Sequence, residues 1–258
     1  MRETISAVVI TRNEEAEIAD CLAALRWADE IVVMDSESTD RTVEIARGIA
    51  DRVELRPFSG FTDQKRAVTE IARGPWILNV DADERVGPEL RDEILALLER
   101  GPDRNGYTVP RLTWYLGRFI RHGGWYPDRK LRLFRKERAE WIGGMVHESV
   151  RVDGPTGELI HPLLHYSFRA LDDHRATIER FTRLGAEDLA KRGRGGRLFD
   201  IVLRPPAAFL KFYLLRAGFL DGWRGLLIAL FSARHTGLKH LRARRLRRAK
   251  GARRGEKS

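Results

Sequence analysis

The sequence predicts an α/β fold built on a mostly parallel, doubly wound, Rossmann-like sheet. Short apolar runs rich in β-branched residues recur through the first hundred residues, starting with Ile5–Ile10, and apolar residues at helical spacing follow them. A run that is apolar at every position is typical of a strand covered on both faces. Strands that alternate with helices favour parallel pairing, and 258 residues are enough to bury a large core around such a sheet.

The strands and helices can be assigned in order along the chain. In the first hundred residues the predicted strands are Ile5–Ile10, Glu30–Met34, Arg52–Arg56 and Trp76–Val80. The predicted helices that follow them are Glu14–Arg26, Thr39–Ile49, Phe61–Arg73 and Pro88–Leu98. After residue 101, strands separated by Gly- and Trp-rich loops are predicted at Gly106–Leu112, Lys130–Arg135, Met145–Val152 and Leu159–Phe168. A long helix over Leu171–Lys191 completes this body.

The C-terminal part differs from the body in charge and hydropathy. Leu198–Ala233 is densely apolar with scattered charges, and Arg234–Ser258 carries a local net charge of +10, which equals that of the whole chain. We therefore predict an amphipathic, membrane-associating helical segment at 196–235 and a disordered basic tail at 236–258. The alternative is that these helices pack on the body. No uncharged apolar run reaches the ~18 residues of a spanning helix.

Polar clusters follow three of the predicted strands, at the carboxyl ends where open parallel sheets bind ligands. They are TRNEE (11–15), DSESTD (35–40) and DADE (81–84). Asp81 and Asp83 repel each other unless a cation is present, and a hard divalent ion that also binds substrate phosphates relieves that repulsion. Taken alone, an Asp-x-Asp pair is also typical of a solvated turn, Asn13 is typical of a turn former, and Asp35 is typical of a strand-end or helix N-cap residue.

The constellation is more specific than its parts. VVITRNEE, VVMDSESTDRT and WILNVDADE, in this order and spacing, resemble the inverting glycosyltransferases of family 2, which have the GT-A fold. Three later segments are similar to the branch that works on lipopolysaccharide core, especially heptose-directed glucosyltransferases: RKLRLFRK, WIGGMVHE and RPPAAFLKFYLLRAGFLDGWRGL. The resemblance implies a GT-A domain over 1–195, with a nucleotide-binding half at 1–100 and an acceptor half at 101–195.

The resemblance also implies a site for a UDP-sugar and a divalent ion. The donor-site residues that it implies are Thr11, Asn13, Glu14, Asp35, Lys65, Asp81 and Arg132, while Asp83 would coordinate Mg²⁺ or Mn²⁺ bridging the diphosphate. A solvated helix face is an equally good interpretation of Lys65. Arg129 and Arg132 are both candidates for the diphosphate, but their odd spacing places them on opposite faces of a strand, and we choose Arg132.

An inverting transfer needs a base that accepts the proton of the attacking hydroxyl. The resemblance points to Glu148 as this base, with Asp128 as the substitute, and to His147, Trp125 and Trp141 as acceptor contacts. An exposed strand pair is the alternative for His147 and Glu148, and buried packing is the alternative for the two tryptophans.

We therefore expect a cytoplasmic enzyme, peripheral on the inner face of the cytoplasmic membrane, that moves a hexose such as glucose from a UDP-hexose to a lipid-linked saccharide, for example lipopolysaccharide inner core. The single cysteine fits a reducing compartment. The alternatives are a metal-dependent nucleotidyltransferase and a nucleic-acid-binding protein that uses the basic tail. Because the body is neutral, no specific nucleic acid is expected, and the phosphate loops of dinucleotide oxidoreductases and P-loop ATPases are missing from the sequence.

Overall fold

The structure, a computed structural model, describes residues 2–143, 148–193 and 196–255, with side chains up to residue 249. The strands in these residues are β1 (Ile5–Thr11), β2 (Glu30–Asp35), β3 (Arg52–Leu55), β4 (Trp76–Asp81), β5 (Glu84–Val86), β6 (Gly106–Tyr115), β7 (Arg118–Phe119), β8 (Asp128–Arg135), β9 (Ala139–Gly143), β10 (Glu148–Val152), β11 (Gly157–Glu158) and β12 (Leu163–Phe168). The α-helices are α1 (Ile18–Ala23), α2 (Thr42–Arg47), α3 (Phe61–Ile71), α4 (Pro88–Arg100), α5 (Leu171–Lys191), α6 (Leu198–Val202), α7 (Arg204–Leu210) and α8 (Trp223–Gly255).

The main sheet has the strand order β3-β2-β1-β4-β8-β6-β12-β5. Strands β1 to β4 pair in parallel, because a helix crosses between successive strands and returns the chain to the same end. Strand β8 pairs antiparallel with β4 and with β6, and β5 pairs antiparallel with β12. The predicted α/β fold is confirmed, and the sheet is mixed, with its parallel half built from the first 81 residues.

Strand β1 is buried on both faces, as its apolar run predicts. Ile5 and Val9 belong to a core cluster that includes Ile94 of α4, and Val8 joins a second cluster that includes Val68 of α3. All five of these side chains are fully buried. Helices therefore cover both sides of the parallel half, and polar groups of β1 reach a ligand only at its carboxyl end.

Helix α4 has signals for both of its ends. Pro88 occupies the first turn, where its missing N–H costs nothing, and Gly101 ends the helix with a φ of 84° that suits glycine. Leu90, Ile94 and Leu98 recur every four residues and are buried against the sheet.

The chain divides into two compact units. The first runs to Leu112 and resumes over Asp128–Tyr166, and the second comprises Thr113–Pro127 and the chain from Ser167 onward. The sequence placed a boundary at residue 195, but α5 packs against α8 and therefore belongs to the second unit. The functional division of the chain stays a prediction.

The basic tail differs from the prediction of disorder. Helix α8 continues to Gly255, and His240 and Ala243 are buried along it. These two positions are three residues apart and so lie on one face of the helix. This face is packed, although most of the residues around it are charged.

The second unit exposes many large apolar side chains. They are Leu198, Phe199, Val202, Leu203, Leu210, Leu214, Leu215, Phe219, Leu220, Trp223, Leu226 and Leu230. Leu215 is the most exposed of them, with 82% of its surface accessible to solvent. No helix among the described residues has the length and apolar character needed to cross a bilayer. The predicted helical segment is present, and its association with a membrane stays a prediction.

We expect Leu78→Ala to lower the free energy of unfolding by about 2–5 kcal/mol, because Leu78 of β4 is fully buried and its truncation leaves a cavity. Ile160→Ala is the control, since Ile160 keeps 75% of its surface exposed and should change stability by about 0.5 kcal/mol or less. Urea denaturation of both variants measures the difference. Equal losses would contradict the placement of β4 at the centre of the core.

Candidate functional site

A cavity of about 450 Å³ opens in the first unit at the carboxyl ends of β1 and β4. Its lining residues are Ile10, Thr11, Arg12, Glu14, Ser36, Phe58, Phe61, Lys65, Asp81, Ala82, Asp83, Glu148 and His165. The first five end or follow β1 and β2, and the aspartates end or follow β4, so residues of the three polar clusters of the sequence do meet at one edge of the sheet.

Six of the predicted site residues line this cavity: Thr11, Glu14, Lys65, Asp81, Asp83 and Glu148. They come from β1, α3, β4, β10 and the turns after them. Since they span 137 positions of the chain from residue 11 to residue 148, it is the sheet topology that brings them together.

Arg132 lies beneath the cavity rather than on it. Its guanidinium is 6% exposed and donates to Asn79 Oδ1 at 2.8 Å, to Asp81 Oδ2 at 2.5 Å and to Glu84 Oε1 at 2.6 Å. Arg129 donates instead to the Leu159 carbonyl. The prediction of a diphosphate contact is therefore not met by Arg132 in this structure, because three protein groups already engage its guanidinium.

The acidic turn after β4 depends on this arginine. Burial opposes ionisation of Asp81, but the charges of Arg132 and Lys65 outweigh it and hold its pKa well below the usual range. Glu84 closes the turn by accepting the Asp81 N–H at 3.0 Å, and its side chain is fully buried. Asp81 is consequently an anchored, ionised carboxylate on one wall of the cavity.

Lys65 connects the two acidic sides of the cavity. Its ammonium lies 3.0 Å from Asp81 Oδ1 and 3.4 Å from Glu148 Oε1, and only 4% of the residue is exposed. The same ammonium sits 5.6 Å from the centre of the Trp141 ring, a cation–π distance. The alternative of a solvated helix face does not hold for this lysine.

Asp83 and His165 form the outer part of the acidic turn. His165 Nε2 lies 3.1 Å from Asp83 Oδ2. Burial opposes ionisation of Asp83, but the hydrogen bond and charge of His165 lower its pKa overall. Burial, together with the nearby charge of Asp83, raises the pKa of Glu14 to about 7. Excess negative charge on this side of the cavity favours a bound cation.

Asn13 and Asp35 hold the neighbouring loops and do not line the cavity. Asn13 has a φ of 55°, and its Oδ1 accepts the Thr39 N–H at 2.8 Å. Asp35 is fully buried and accepts both the N–H and the hydroxyl of Ser38. Asn13 is therefore a turn former, and Asp35 is a strand-end residue that holds the turn after β2; helix α2 begins only at Thr42, and Asp35 does not cap it.

The remaining candidates have structural contacts of their own. Asp128 pairs with Arg111 at 2.6 Å and does not line the cavity. Burial opposes its ionisation, but the charges and hydrogen bonds of Arg111 and Lys130 together lower its pKa, which weakens Asp128 as a base. Trp141 is 6% exposed and donates to Thr69 Oγ1, so it packs instead of facing an acceptor.

Of the other two predicted acceptor contacts, Trp125 does not line the cavity and His147 lies outside the described residues. Trp125 belongs to the second unit, where its ring packs against Tyr115 and Phe168 at 5.4 Å each. The sequence missed His165, whose only signal is a polar position inside the apolar strand β12, and it missed the aromatic pair Phe58–Phe61, whose rings are 5.1 Å apart.

The comparisons with known proteins identify the family. The family model described as Glycosyl transferase family 2 matches residues 6–150. The chain belongs to glycosyl transferase family 2. It is therefore a glycosyltransferase, as predicted, and sugar transfer rather than nucleotidyl transfer is its activity.

Individual proteins are similar to this chain over almost its whole length. The chain is 29% identical to the lipopolysaccharide core biosynthesis glycosyltransferase LpsC of Rhizobium meliloti, over 93% of this chain and 94% of that protein. It is 31% identical to an uncharacterized glycosyltransferase of Rickettsia bellii, over 90% of this chain and 83% of the relative. The fold is similar to that of S. aureus TarS 1-349 in complex with UDP-GlcNAc, with a TM-score of 0.50 at 14% identity, covering 96% of this chain and 92% of TarS.

We expect Arg132→Ala to lower the free energy of unfolding by about 3–5 kcal/mol, because it removes the closest cation from the fully buried Glu84 carboxylate and leaves Asp81 paired with Lys65 alone. Arg129→Ala on the same strand is the control and should cost about 1 kcal/mol, since its side chain is 34% exposed. Chemical denaturation at neutral pH distinguishes them. A stable Arg132→Ala protein that had lost only nucleotide affinity would restore the diphosphate role.

Proposed function

We propose that this family 2 glycosyltransferase moves a hexose, with inversion, from a UDP-sugar to a lipid-linked saccharide of the lipopolysaccharide-core type. One observation carries the proposal: a single cavity brings the acidic turn after β4 together with the carboxylate of Glu148. An inverting transfer needs these two parts, one to manage the charge of the departing diphosphate and one to accept a proton.

The other lining residues suit a nucleotide. Thr11 Oγ1 is buried and has no hydrogen-bond partner among the described residues, so a ligand hydroxyl or carbonyl would satisfy it. Phe58 and Phe61 provide aromatic faces on which a base can stack. TarS, which shares the fold, binds UDP-GlcNAc. A cavity of about 450 Å³ lies in the range typical of small-ligand sites.

The donor chemistry of the acidic turn fits Mg²⁺ or Mn²⁺. The described residues contain no group of three or more His, Cys, Asp or Glu side chains arranged to hold a metal. Asp83 and His165 supply two donors, and such ions commonly complete their coordination with substrate phosphates and water. When bound, the ion neutralises charge that builds on the leaving diphosphate.

Basic side chains of the protein would also contact the leaving diphosphate. Arg12 and Lys65 line the cavity, and they replace Arg132 as the candidates for direct contact with the diphosphate. Lys65 already contacts Asp81 and Glu148, so it couples the donor side to the base side. Glu148 then takes the proton of the acceptor hydroxyl as that oxygen attacks the anomeric carbon.

The acceptor and the location follow from two further observations. LpsC, similar over almost its full length, is named for lipopolysaccharide core biosynthesis. The second unit exposes a row of apolar side chains beside a cationic helix, which suits a protein held at the inner face of the cytoplasmic membrane, where a lipid-linked acceptor is within reach.

We expect Asp83→Ala to reduce UDP release with Mn²⁺ by about 10²–10³-fold, because it removes the carboxylate that would hold the ion. Mn²⁺ binding measured by electron paramagnetic resonance should weaken in parallel. Asp103→Ala is the control, since Asp103 does not line the cavity. Full Mn²⁺-dependent activity in Asp83→Ala would exclude the metal role.

We expect Glu148→Gln to lower kcat by about 10²–10⁴-fold while leaving the Kd for UDP within about threefold, because the amide keeps its shape but accepts no proton. Asp128→Asn should change kcat far less, since Asp128 does not line the cavity. Stopped assays of UDP release and calorimetric UDP binding measure the two effects. A larger loss in Asp128→Asn would transfer the base to that residue.

A further inference from the structure

A second cavity, of about 420 Å³, lies in the second unit where the start of α6 meets the C-terminal part of α8. Its lining residues are Gly196, Arg197, Leu198, Arg244, Arg247 and Arg248. Four guanidinium groups therefore surround one space, and no carboxylate is among the described residues that line it. Because arginine stays protonated at any physiological pH, this concentration of charge is permanent.

The backbone builds this arginine cavity. Arg244, Arg247 and Arg248 are spaced by three and four residues, so they lie on one face of α8. Gly196 has a φ of 78°, and a Cβ placed on it would come within 2.8 Å of the Arg244 Cα. Only glycine lets the chain pass so close to the helix, and that passage places Arg197 beside the three helical arginines.

Asp200, three residues after Arg197, has partners of its own. Asp200 is 6% exposed, accepts the Arg197 N–H at the start of α6 and pairs with Arg204 at 2.7 Å. It caps a helix and neutralises an arginine outside the cavity lining. The described lining residues thus include four basic side chains and no acidic one, a set whose chemistry is complementary to an anion.

Apolar side chains continue from the rim of the cavity. Leu198 lines it and is 67% exposed, and Phe199, Val202 and Leu203 on α6 and beside it keep between 51% and 63% of their surface. A phosphate that carries acyl chains would match both the arginines and these exposed apolar side chains. The guanidiniums would bind its oxygens, and the apolar side chains would enter the boundary of the acyl chains. A phosphate of nucleic acid offers no apolar partner for this row.

We propose that the arginine cavity binds the phosphate headgroup of an anionic phospholipid and so fixes the second unit on the membrane surface. This inference rests on the proposed membrane association and gives it a residue-level site. It adds a lipid ligand that is distinct from the donor and from the acceptor, bound by the second unit.

The test is co-sedimentation of the full chain with phosphatidylcholine vesicles that contain or lack phosphatidylglycerol. Arg244→Gln/Arg248→Gln should bind the anionic vesicles about 30-fold more weakly than the parent, because two arginines each contribute about 1 kcal/mol at such a surface. Arg183→Gln/Arg245→Gln makes the same change in charge on exposed residues outside the cavity and should stay within about threefold of the parent. Arg197→Gln, whose side chain is exposed, provides a single-site variant should the double variant fail to fold.

The outcomes separate the competing sources of the effect. Equal losses in the two double variants would mean general charge attraction and would overturn the arginine cavity, as would an unchanged cavity variant. Displacement of the parent from vesicles by inorganic phosphate at concentrations that leave ionic strength constant would assign the cavity to a free phosphate instead. Tighter binding to a short DNA duplex than to anionic vesicles at the same salt would overturn the lipid assignment.

The proposed function can fail separately. A parent protein that ignores every vesicle while binding UDP normally would refute the membrane association and leave the transferase intact. UDP binding should be the same in all of these variants, because the donor cavity is lined by residues of the first unit alone.

Discussion

One buried guanidinium holds the acidic turn at the cavity in the first unit. Arg132 holds Asp81 and Glu84 together, two carboxylates of the same turn that would otherwise repel each other in a region with little water. Arg132 fixes this turn from the side away from the cavity. On the cavity side, Asp83 contacts His165, and Lys65 lies between Asp81 and Glu148. The proposed metal ligand Asp83 and the proposed base Glu148 are therefore positioned around a residue that does not itself line the cavity.

The sequence predicted the parallel half of the fold well, because β1, β2 and β4 are mainly apolar and are followed by polar clusters. Thr11, Glu14, Asp81 and Asp83 line the cavity for that reason. The burial of Arg132 was not predictable from spacing. Strand parity selects a face, but the partner on that face includes Glu84 of β5, a three-residue strand too short to carry a periodic signal.

In the second unit, composition predicted some features correctly and others wrongly. Composition predicted apolar helices beside a cationic end, and the helices are present. Composition also predicted disorder where α8 is helical, because frequent arginines conceal the buried positions His240 and Ala243. The same helical period that buries these residues gathers Arg244, Arg247 and Arg248 on one face. A disordered charge-rich tail and a helix that lines the arginine cavity have the same composition and differ only in backbone geometry.

The most direct measurement is a crystal structure of the protein with UDP and Mn²⁺, using anomalous scattering to locate the ion. The account predicts the uracil against Thr11 and the aromatic pair Phe58–Phe61, with the Mn²⁺ peak on Asp83 and His165 beside the diphosphate. Nucleotide bound outside this cavity, or an ion held by other residues while Asp83 and His165 remain paired, would contradict it.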